Sequence, residues 1–202
     1  MTRNGIIALV IGVAIAIAAG LWISELAISR SEVPAETSST GKAQVGGPFT
    51  LVNQDGEAVT EETYSGKYML IYFGFTFCPD VCPTELGVMS AALDRLGEKA
   101  EKVQPIFITV DPERDTPDVM ARYVKLFSPR LVGLTGTQEQ IDKVAKAYHV
   151  FYRKAEDESS SDYTMDHSSI VFLMGPDGEY LKLFPPQTPP DKMAETIESH
   201  IE

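Results

Sequence analysis

The two cysteines of the chain, Cys78 and Cys82, lie in the segment TFCPDVCPTEL, and each is followed by a proline. Three kinds of chemistry suit two thiols at this spacing: a structural disulfide, a redox-active dithiol, or a pair of thiolate ligands for a metal ion. Soft sulfur ligands select Cu(I) or Zn(II), and an added imidazole suits either copper state or zinc. The spacing alone leaves the redox and metal hypotheses open.

A structural disulfide is the weakest of the three hypotheses. It would close a loop of five residues, so it would remove little conformational entropy from the unfolded chain. A catalytic disulfide exchanger usually has two residues between its cysteines, whereas this chain has three. The single tryptophan, Trp22, lies near the N-terminus, so the domain that carries the cysteines lacks the tryptophan expected of glutathione-peroxidase-like chemistry.

A metal site needs a third ligand, and the chain offers three histidines. His149 follows an amphipathic helix, where a histidine commonly interacts with the last carbonyls, and His200 lies on an exposed helix face. His167 is the favoured ligand because it follows a long polar loop, from Glu156 to Tyr163, and precedes a buried strand. Two sulfurs and one imidazole would make a three-coordinate site that holds Cu(I), tolerates Cu(II) and leaves one side open for transfer.

The elements around the cysteines determine where the sulfurs point. The run KYMLIYFGFTF, residues 67–77, is typical of a strand buried on both faces, and an apolar helix face follows the cysteines. The regular helix is predicted to begin near Pro83, with Cys82 at its amino end. The partial positive charge of a helix N-terminus favours thiolate over thiol, and the thiolate is the form that acts as a nucleophile and as a soft metal ligand.

Further strands and helices alternate along the chain. VQPIFITVDP predicts a second buried strand, followed by a helix capped by Asp115 or Thr116, and RLVGLTG predicts a short strand before a helix capped at Thr137. Residues 168–184 predict two strands around a turn, and residues 190–201 predict a closing helix. This order predicts an α/β fold with a central mixed β-sheet flanked by helices.

The N-terminal segment predicts a membrane anchor over residues 1–30. Residues 4–24 contain no charged side chain and would span roughly 30 Å as a helix, the thickness of a bilayer core. Cleavage as a signal peptide after residue 18 is the alternative, but it would leave the apolar segment AGLWISELAI on the mature protein.

A flexible linker is predicted over residues 31–47, and the copper- or redox-active domain over residues 48–202. The flanking charges favour an extracytoplasmic domain.

The charge of the chain restricts its partners. It carries 17 basic and 29 acidic side chains, a formal net charge of −12, so a nucleic acid is not expected as a partner. In the segment DPERDTP, Asp111, Arg114 and Asp115 form either an acidic and basic patch near the metal loop, used for partner docking, or a helix cap with an internal ion pair. Asp80, between the cysteines, either tunes the site electrostatically or simply forms a turn.

Three segments, FTFCPDVCPTEL, TVDPERDTP and DHSSIVFLMGPDGEYL, resemble the Sco (SenC) proteins, which are membrane-anchored, thioredoxin-like copper proteins. The likeness covers Phe49 to Ile201. It implies a thioredoxin-like fold and copper, as Cu(I) or Cu(II), bound by Cys78, Cys82 and His167. It also implies a role in assembling the binuclear copper centre of cytochrome c oxidase subunit II, by delivering copper or by reducing the cysteines of that centre.

The resemblance also implies partners. These are cytochrome c oxidase subunit II or a related copper acceptor, a copper donor protein, a thiol reductant, and a membrane through the N-terminal helix. The alternative function is a thiol-disulfide reductase or a redox sensor acting on exported partner cysteines. In that case Cys78 and Cys82 would form a reversible disulfide and His167 would be structural.

Overall fold

A computed structural model describes residues 45–156 and 163–201. The predicted anchor, residues 1–30, and most of the predicted linker, residues 31–47, lie outside the described residues. Within the described ranges, no helix is both long enough and apolar enough to cross a bilayer.

The described residues form nine β-strands and four α-helices. The strands are β1 (Thr50–Asn53), β2 (Ala58–Thr60), β3 (Tyr68–Gly74), β4 (Val103–Thr109), β5 (Val132–Thr135), β6 (Tyr152–Glu156), β7 (Tyr163–His167), β8 (Val171–Met174) and β9 (Tyr180–Phe184). The helices are α1 (Val81–Leu96), α2 (Pro117–Val124), α3 (Gln138–Ala147) and α4 (Pro190–Glu198). Two 3-10 helices, Glu61–Tyr64 and Gly97–Lys102, complete these elements.

Seven strands form one mixed sheet in the order β2-β1-β5-β4-β3-β8-β9. The three central strands β3, β4 and β5 are parallel, and the outer strands pair antiparallel. Helix α1 packs against α4, α2 lies against β5, and α3 lies against β1. The predicted mixed sheet flanked by helices is therefore confirmed.

The parallel strands β3 and β4 are the most buried part of the sheet. All seven residues of β3 are buried, as the sequence of this strand predicts, and six of seven are buried in β4. The N–H of Val110 donates to the carbonyl of Gly74 at 2.7 Å, which holds the carboxyl ends of the two strands together. The loops that follow β3 and β4 therefore meet at the same edge of the sheet.

Two hairpins were not predicted from the sequence. Strands β1 and β2 pair antiparallel across a turn in which Gly56 has φ 81°. Strands β6 and β7 pair as a separate two-stranded sheet on either side of the predicted polar loop, and the sequence predicts neither strand. His167 is consequently the last residue of a strand, which gives its side chain a defined direction.

Candidate metal centre

The loop between β3 and α1 carries Cys78, and the first turn of α1 carries Cys82. The helix begins at Val81, two residues before Pro83, and its N-cap residue is Asp80. The backbone N–H of Cys82 donates to Sγ of Cys78 at 3.3 Å. The predicted placement of the sulfurs at the amino end of the helix is confirmed, because a free N–H of that end contacts Cys78.

Asp80 is exposed, and its side chain makes no capping hydrogen bond. Its backbone carbonyl accepts the N–H of Thr84, which closes the first turn of α1. This geometry agrees with the interpretation of Asp80 as a turn-forming residue.

The two thiols differ in burial. Cys82 is fully buried and Cys78 is half-buried. At Gly74, the last residue of β3, an added Cβ would lie 2.7 Å from Sγ of Cys82 and 2.9 Å from Cε2 of Phe107. The sulfur of Cys82 therefore occupies space that exists only because residue 74 has no side chain.

The thiols share one proton in this arrangement. The pKa of Cys78 is lowered to about 3, and the largest cause is its hydrogen bond with the side chain of Cys82. Hydrogen bonds with His167 and with the backbone N–H of Cys82 lower the pKa further, and together they outweigh burial, which raises it. The pKa of Cys82 is raised above its usual range, first by its hydrogen bond with Cys78 and then by burial. Cys78 is thus the thiolate and Cys82 the thiol that donates to it.

His167 lies directly beside the buried sulfur. Its Nε2 is 3.4 Å from Sγ of Cys82, and its Nδ1 is 3.3 Å from the carbonyl oxygen of Ser168. The contact of Nδ1 with this carbonyl orients the ring so that Nε2 faces the sulfur. The ring also meets Phe75 edge-on, with centroids 5.8 Å apart.

The alternation of strand β7 aims His167 at the cysteines. Tyr163, Met165 and His167 share one face of the strand because side chains two residues apart point the same way. Met165 is buried, so this face packs onto the domain. Asp166 points outward, where its carboxylate pairs with Arg153 at 2.8 Å.

The structure brings Cys78, Cys82 and His167 together, and their ligand atoms all lie within 4.8 Å of one another. Metal bonds of about 2.3 Å to sulfur and 2.0 Å to nitrogen, as zinc makes, would separate the ligand atoms of a three-coordinate ion by about 3.5–4 Å. The donor set and its spacing fit a soft metal ion with small side-chain adjustments. His149 and His200 are not members of any such cluster among the described residues.

Asp111, Arg114 and Asp115 do not form an exposed docking patch. The carboxylates of Asp111 and Asp115 are buried, and the side chain of Arg114 is 18% exposed. The interpretation of this segment as a docking surface is therefore wrong. Its internal ion pair is confirmed, because Nε of Arg114 donates to Oδ2 of Asp111 at 2.5 Å.

Asp115 fastens the cysteine loop to the sheet and does not cap the following helix. Its carboxylate accepts the N–H of Thr76 at 3.0 Å and the hydroxyls of Thr76 and Thr109 at 2.5 Å each. Burial raises the pKa of Asp115, against these hydrogen bonds, which lower it. The N-cap of α2 is Thr116, the other candidate, and its side chain makes no capping hydrogen bond.

Sequence reasoning missed two residues of the site. Gly74 makes room for the sulfur of Cys82, and a glycine inside a buried strand is a signal of such close approach. Tyr72 donates its hydroxyl to Sγ of Cys82 at 3.7 Å. A tyrosine in an apolar run gives no comparable signal, because packing explains it equally well.

Comparison with known proteins identifies related chains. A family model described as SCO1/SenC matches residues 37–202. The human "Protein SCO1 homolog, mitochondrial" is 47% identical over 163 residues, which cover 80% of this chain and 54% of that protein. The "SCO2-like protein" of Rickettsia felis is 35% identical over 202 residues, with 98% of each chain covered. The chain spans about half the length of the human and Arabidopsis mitochondrial relatives that it matches.

Solved structures resemble the described fold. The copper-bound ScoI of Arabidopsis thaliana matches with a TM-score of 0.74 at 45% identity, over 78% of this chain and 98% of that one. The copper-bound ScoI of Bradyrhizobium japonicum matches with a TM-score of 0.72 at 44% identity, over 77% and 99%. BsSco, described with a disulfide switch and as a member of the Sco family of cytochrome c oxidase assembly proteins, matches with a TM-score of 0.60 at 30% identity, over 78% and 93%.

Proposed function

Because this chain belongs to the SCO1/SenC family, we propose that it is a copper metallochaperone that helps assemble the binuclear copper centre of cytochrome c oxidase subunit II. It binds one copper ion through Sγ of Cys78, Sγ of Cys82 and Nε2 of His167. The observation that carries this proposal is the convergence of the three ligand atoms within 4.8 Å, although His167 is 85 residues from Cys82. The copper bound in two similar structures supports the choice of metal.

Copper loading requires both sulfurs as thiolates. Cys78 is half-buried and already holds the charge, so it is the first group that a copper donor protein meets. Cys82 then releases its proton as the ion binds, since a metal ion competes with protons for sulfur. His167 completes the site through Nε2, because its Nδ1 lies against the carbonyl oxygen of Ser168 and holds the ring in this orientation.

Delivery proceeds by ligand exchange on the exposed side of Cys78. A thiolate of the acceptor enters the coordination sphere, and the three ligands of this chain leave one after another. The ion passes between proteins without release to water, and the relative affinities of the two sites set the direction of transfer.

Oxidation switches copper binding off. When the two sulfurs join as a disulfide, an oxidant such as a partner disulfide takes two electrons, the one proton that they share is released, and two of the three ligands are lost. Copper and disulfide are therefore mutually exclusive states, and a thiol reductant restores the binding form.

The N-terminal segment, residues 1–30, holds the domain at a membrane on its extracytoplasmic side. The charge-free run of residues 4–24 and the polar linker that follows support this placement.

A thiol-disulfide reductase is the second candidate, because Cys78 is a half-buried thiolate and Cys82 beside it is a buried thiol. Cys78 would attack a partner disulfide and release one partner thiolate, forming a mixed disulfide. Cys82 would then attack Sγ of Cys78 and release the second. The partner gains two electrons, and this chain becomes oxidised.

A copper titration separates the two candidates. The reduced chain is titrated with Cu(I) against a chelator and, separately, with Cu(II), and His167→Ala is compared with the control His200→Ala. The metallochaperone binds one copper per chain, and only His167→Ala loses the sulfur-to-Cu(II) absorption. A reductase would show no tight copper site, and His167→Ala would keep its dithiol activity.

A further inference from the structure

The hairpin of β6 and β7 lacks main-chain pairing to the central sheet within the described residues. Its position, and with it that of His167, depends on side chains at a few points. Near the base of β6, the hydroxyl of Tyr152 contacts Gln138 and Asp142 on α3. In the middle of β7, Met165 is buried in the domain.

The start of β7 is attached through Arg114. Its Nη1 donates to the carbonyl of Tyr163 at 2.9 Å, and its Nε donates to Oδ2 of Asp111 at 2.5 Å. The hydroxyl of Tyr163 donates to Oδ1 of the same carboxylate at 2.8 Å. Asp111 belongs to the loop after β4, so these three hydrogen bonds join the hairpin to the edge of the central sheet where the cysteine loop lies.

The guanidinium of Arg114 also lies over the rings of two aromatic residues. Its Cζ lies 3.8 Å from the ring centroid of Tyr163 and 4.7 Å from that of Phe77, the residue before Cys78. Its Nη2 is buried and has no hydrogen-bond partner among the described residues, and the cation–π contacts with the rings offset part of this desolvation. Arg114 therefore contacts both the strand that carries His167 and the loop that carries Cys78.

We propose that Arg114 is the positioning residue that holds His167 against the cysteines. Tyr163 and His167 lie on the same face of β7, four residues apart, so fixing one end of this short strand fixes the direction of the other. The flat fork of a guanidinium is suited to this task because it donates to two acceptors and stacks on two rings at once, which an ammonium does not do. This inference rests on the proposed copper ligation by His167.

The test compares Arg114→Lys and Arg114→Met with the control Arg130→Met, which removes an arginine paired with Glu101 on the surface. Copper affinity is measured by competition with a chelator in the purified full chain. Both Arg114 variants are expected to bind Cu(I) about 10- to 100-fold more weakly, the usual effect of losing a residue that orients a metal ligand, and the control is expected to bind normally.

A double-mutant cycle separates positioning from general damage. If Arg114 acts through His167, the double variant Arg114→Lys/His167→Ala should bind copper less than about twofold more weakly than His167→Ala alone. Fully additive losses, or unchanged affinity in both Arg114 variants, would overturn the proposal.

Amide hydrogen exchange in the copper-free chain gives a readout that does not depend on the proposed function. The amides of residues 163–167 are expected to exchange at least about tenfold faster in Arg114→Lys, while those of β3 keep their rates. Equal acceleration in both strands, or in neither, would contradict a positioning role.

A chain that fails to bind copper would overturn the proposed ligation, and the exchange rates would still decide how the hairpin is held. If Arg114→Met does not fold, Arg114→Lys decides, because it keeps a positive charge beside the buried Asp111.

Discussion

At the scale of single residues, the site is asymmetric, because the sulfur of Cys78 is accessible to a partner and the sulfur of Cys82 is buried. Cys78 is half-buried and accepts hydrogen bonds, whereas Cys82 is fully buried beneath Gly74 and beside Tyr72. The asymmetry gives the two thiols different tasks in either candidate mechanism. Cys78 meets the partner, and Cys82 completes the reaction or the coordination sphere.

The lowered pKa of Cys78 predicts an unusual pH dependence of alkylation. Since a pKa of about 3 lies far below neutral pH, Cys78 is a thiolate throughout the range from about pH 5 to 9, and its reaction with iodoacetamide should keep a constant rate there. Mass spectrometry should find one modification per native chain, on Cys78. In the chain unfolded in urea, both thiols should titrate normally. A native rate that climbs tenfold per pH unit towards pH 8 would show an ordinary thiol.

Substitution of Gly74 tests the enclosure of Cys82. In Gly74→Ala the new Cβ meets a sulfur at 2.7 Å and a buried ring at 2.9 Å, so the variant should lose about 1–3 kcal/mol of stability and bind copper more weakly. The matched control is Gly87→Ala in α1, where an added Cβ has nothing within 4 Å and should stabilise the helix by about 0.5–1 kcal/mol. Urea unfolding measures the stability of the two variants. Equal changes in the free energy of unfolding would show that Gly74 does not make room for the sulfur of Cys82.

At the scale of elements, the site depends on two loops that leave neighbouring parallel strands. The loop after β3 carries Cys78 and the loop after β4 carries Asp111 and Asp115. The hydrogen bonds of Asp115 to Thr76 tie the first loop to the second. The cysteine loop is therefore fixed before any metal binds, which reduces the entropic cost of binding.

Asp115→Ala should destabilise the domain by at least about 2 kcal/mol, because it leaves the Thr76 N–H and the Thr76 and Thr109 hydroxyls without their acceptor. The control is Asp118→Ala, an exposed acid in the first turn of α2, whose loss should cost no more than about 1 kcal/mol. Urea denaturation gives both free energies of unfolding. Comparable small losses would mean that Asp115 does not fasten the loop.

The sequence predicts most of the central sheet but not the hairpin that aims His167. Strands β3 and β4 are recognisable because burial on both faces demands a continuous apolar run. Strands β6 and β7 are polar, and Arg114, which donates to the carbonyl of Tyr163 in β7, lies 49 residues away from it in sequence. The turn at Asp55–Gly56 was a usable signal for the first hairpin, since such a dipeptide favours a positive φ.

The candidate ligands themselves were predictable, but their contact was not. Residue type and the resemblance select Cys78, Cys82 and His167. The 3.4 Å approach of His167 to Cys82 depends on how the hairpin of β6 and β7 lies beside the cysteine loop, and no local pattern encodes that placement.

At the scale of the whole molecule, we propose an acidic copper-binding domain on a tether at a membrane. If residues 1–30 form the anchor, the chain should sediment with membranes and resist extraction by carbonate. Protease added to intact spheroplasts or mitoplasts should remove the domain, because it faces the extracytoplasmic side. Removal only after detergent lysis would reverse the predicted orientation, and recovery in the soluble fraction would rule out the anchor.

The central claim is that copper is held by two sulfurs and one imidazole. X-ray absorption at the copper edge of the reduced chain loaded with one Cu(I) measures this directly. We expect two sulfur neighbours and one nitrogen neighbour of the copper, with the nitrogen lost in His167→Ala and retained in His200→Ala. Sulfur neighbours alone in the unaltered chain, or an unchanged nitrogen shell in His167→Ala, would contradict it.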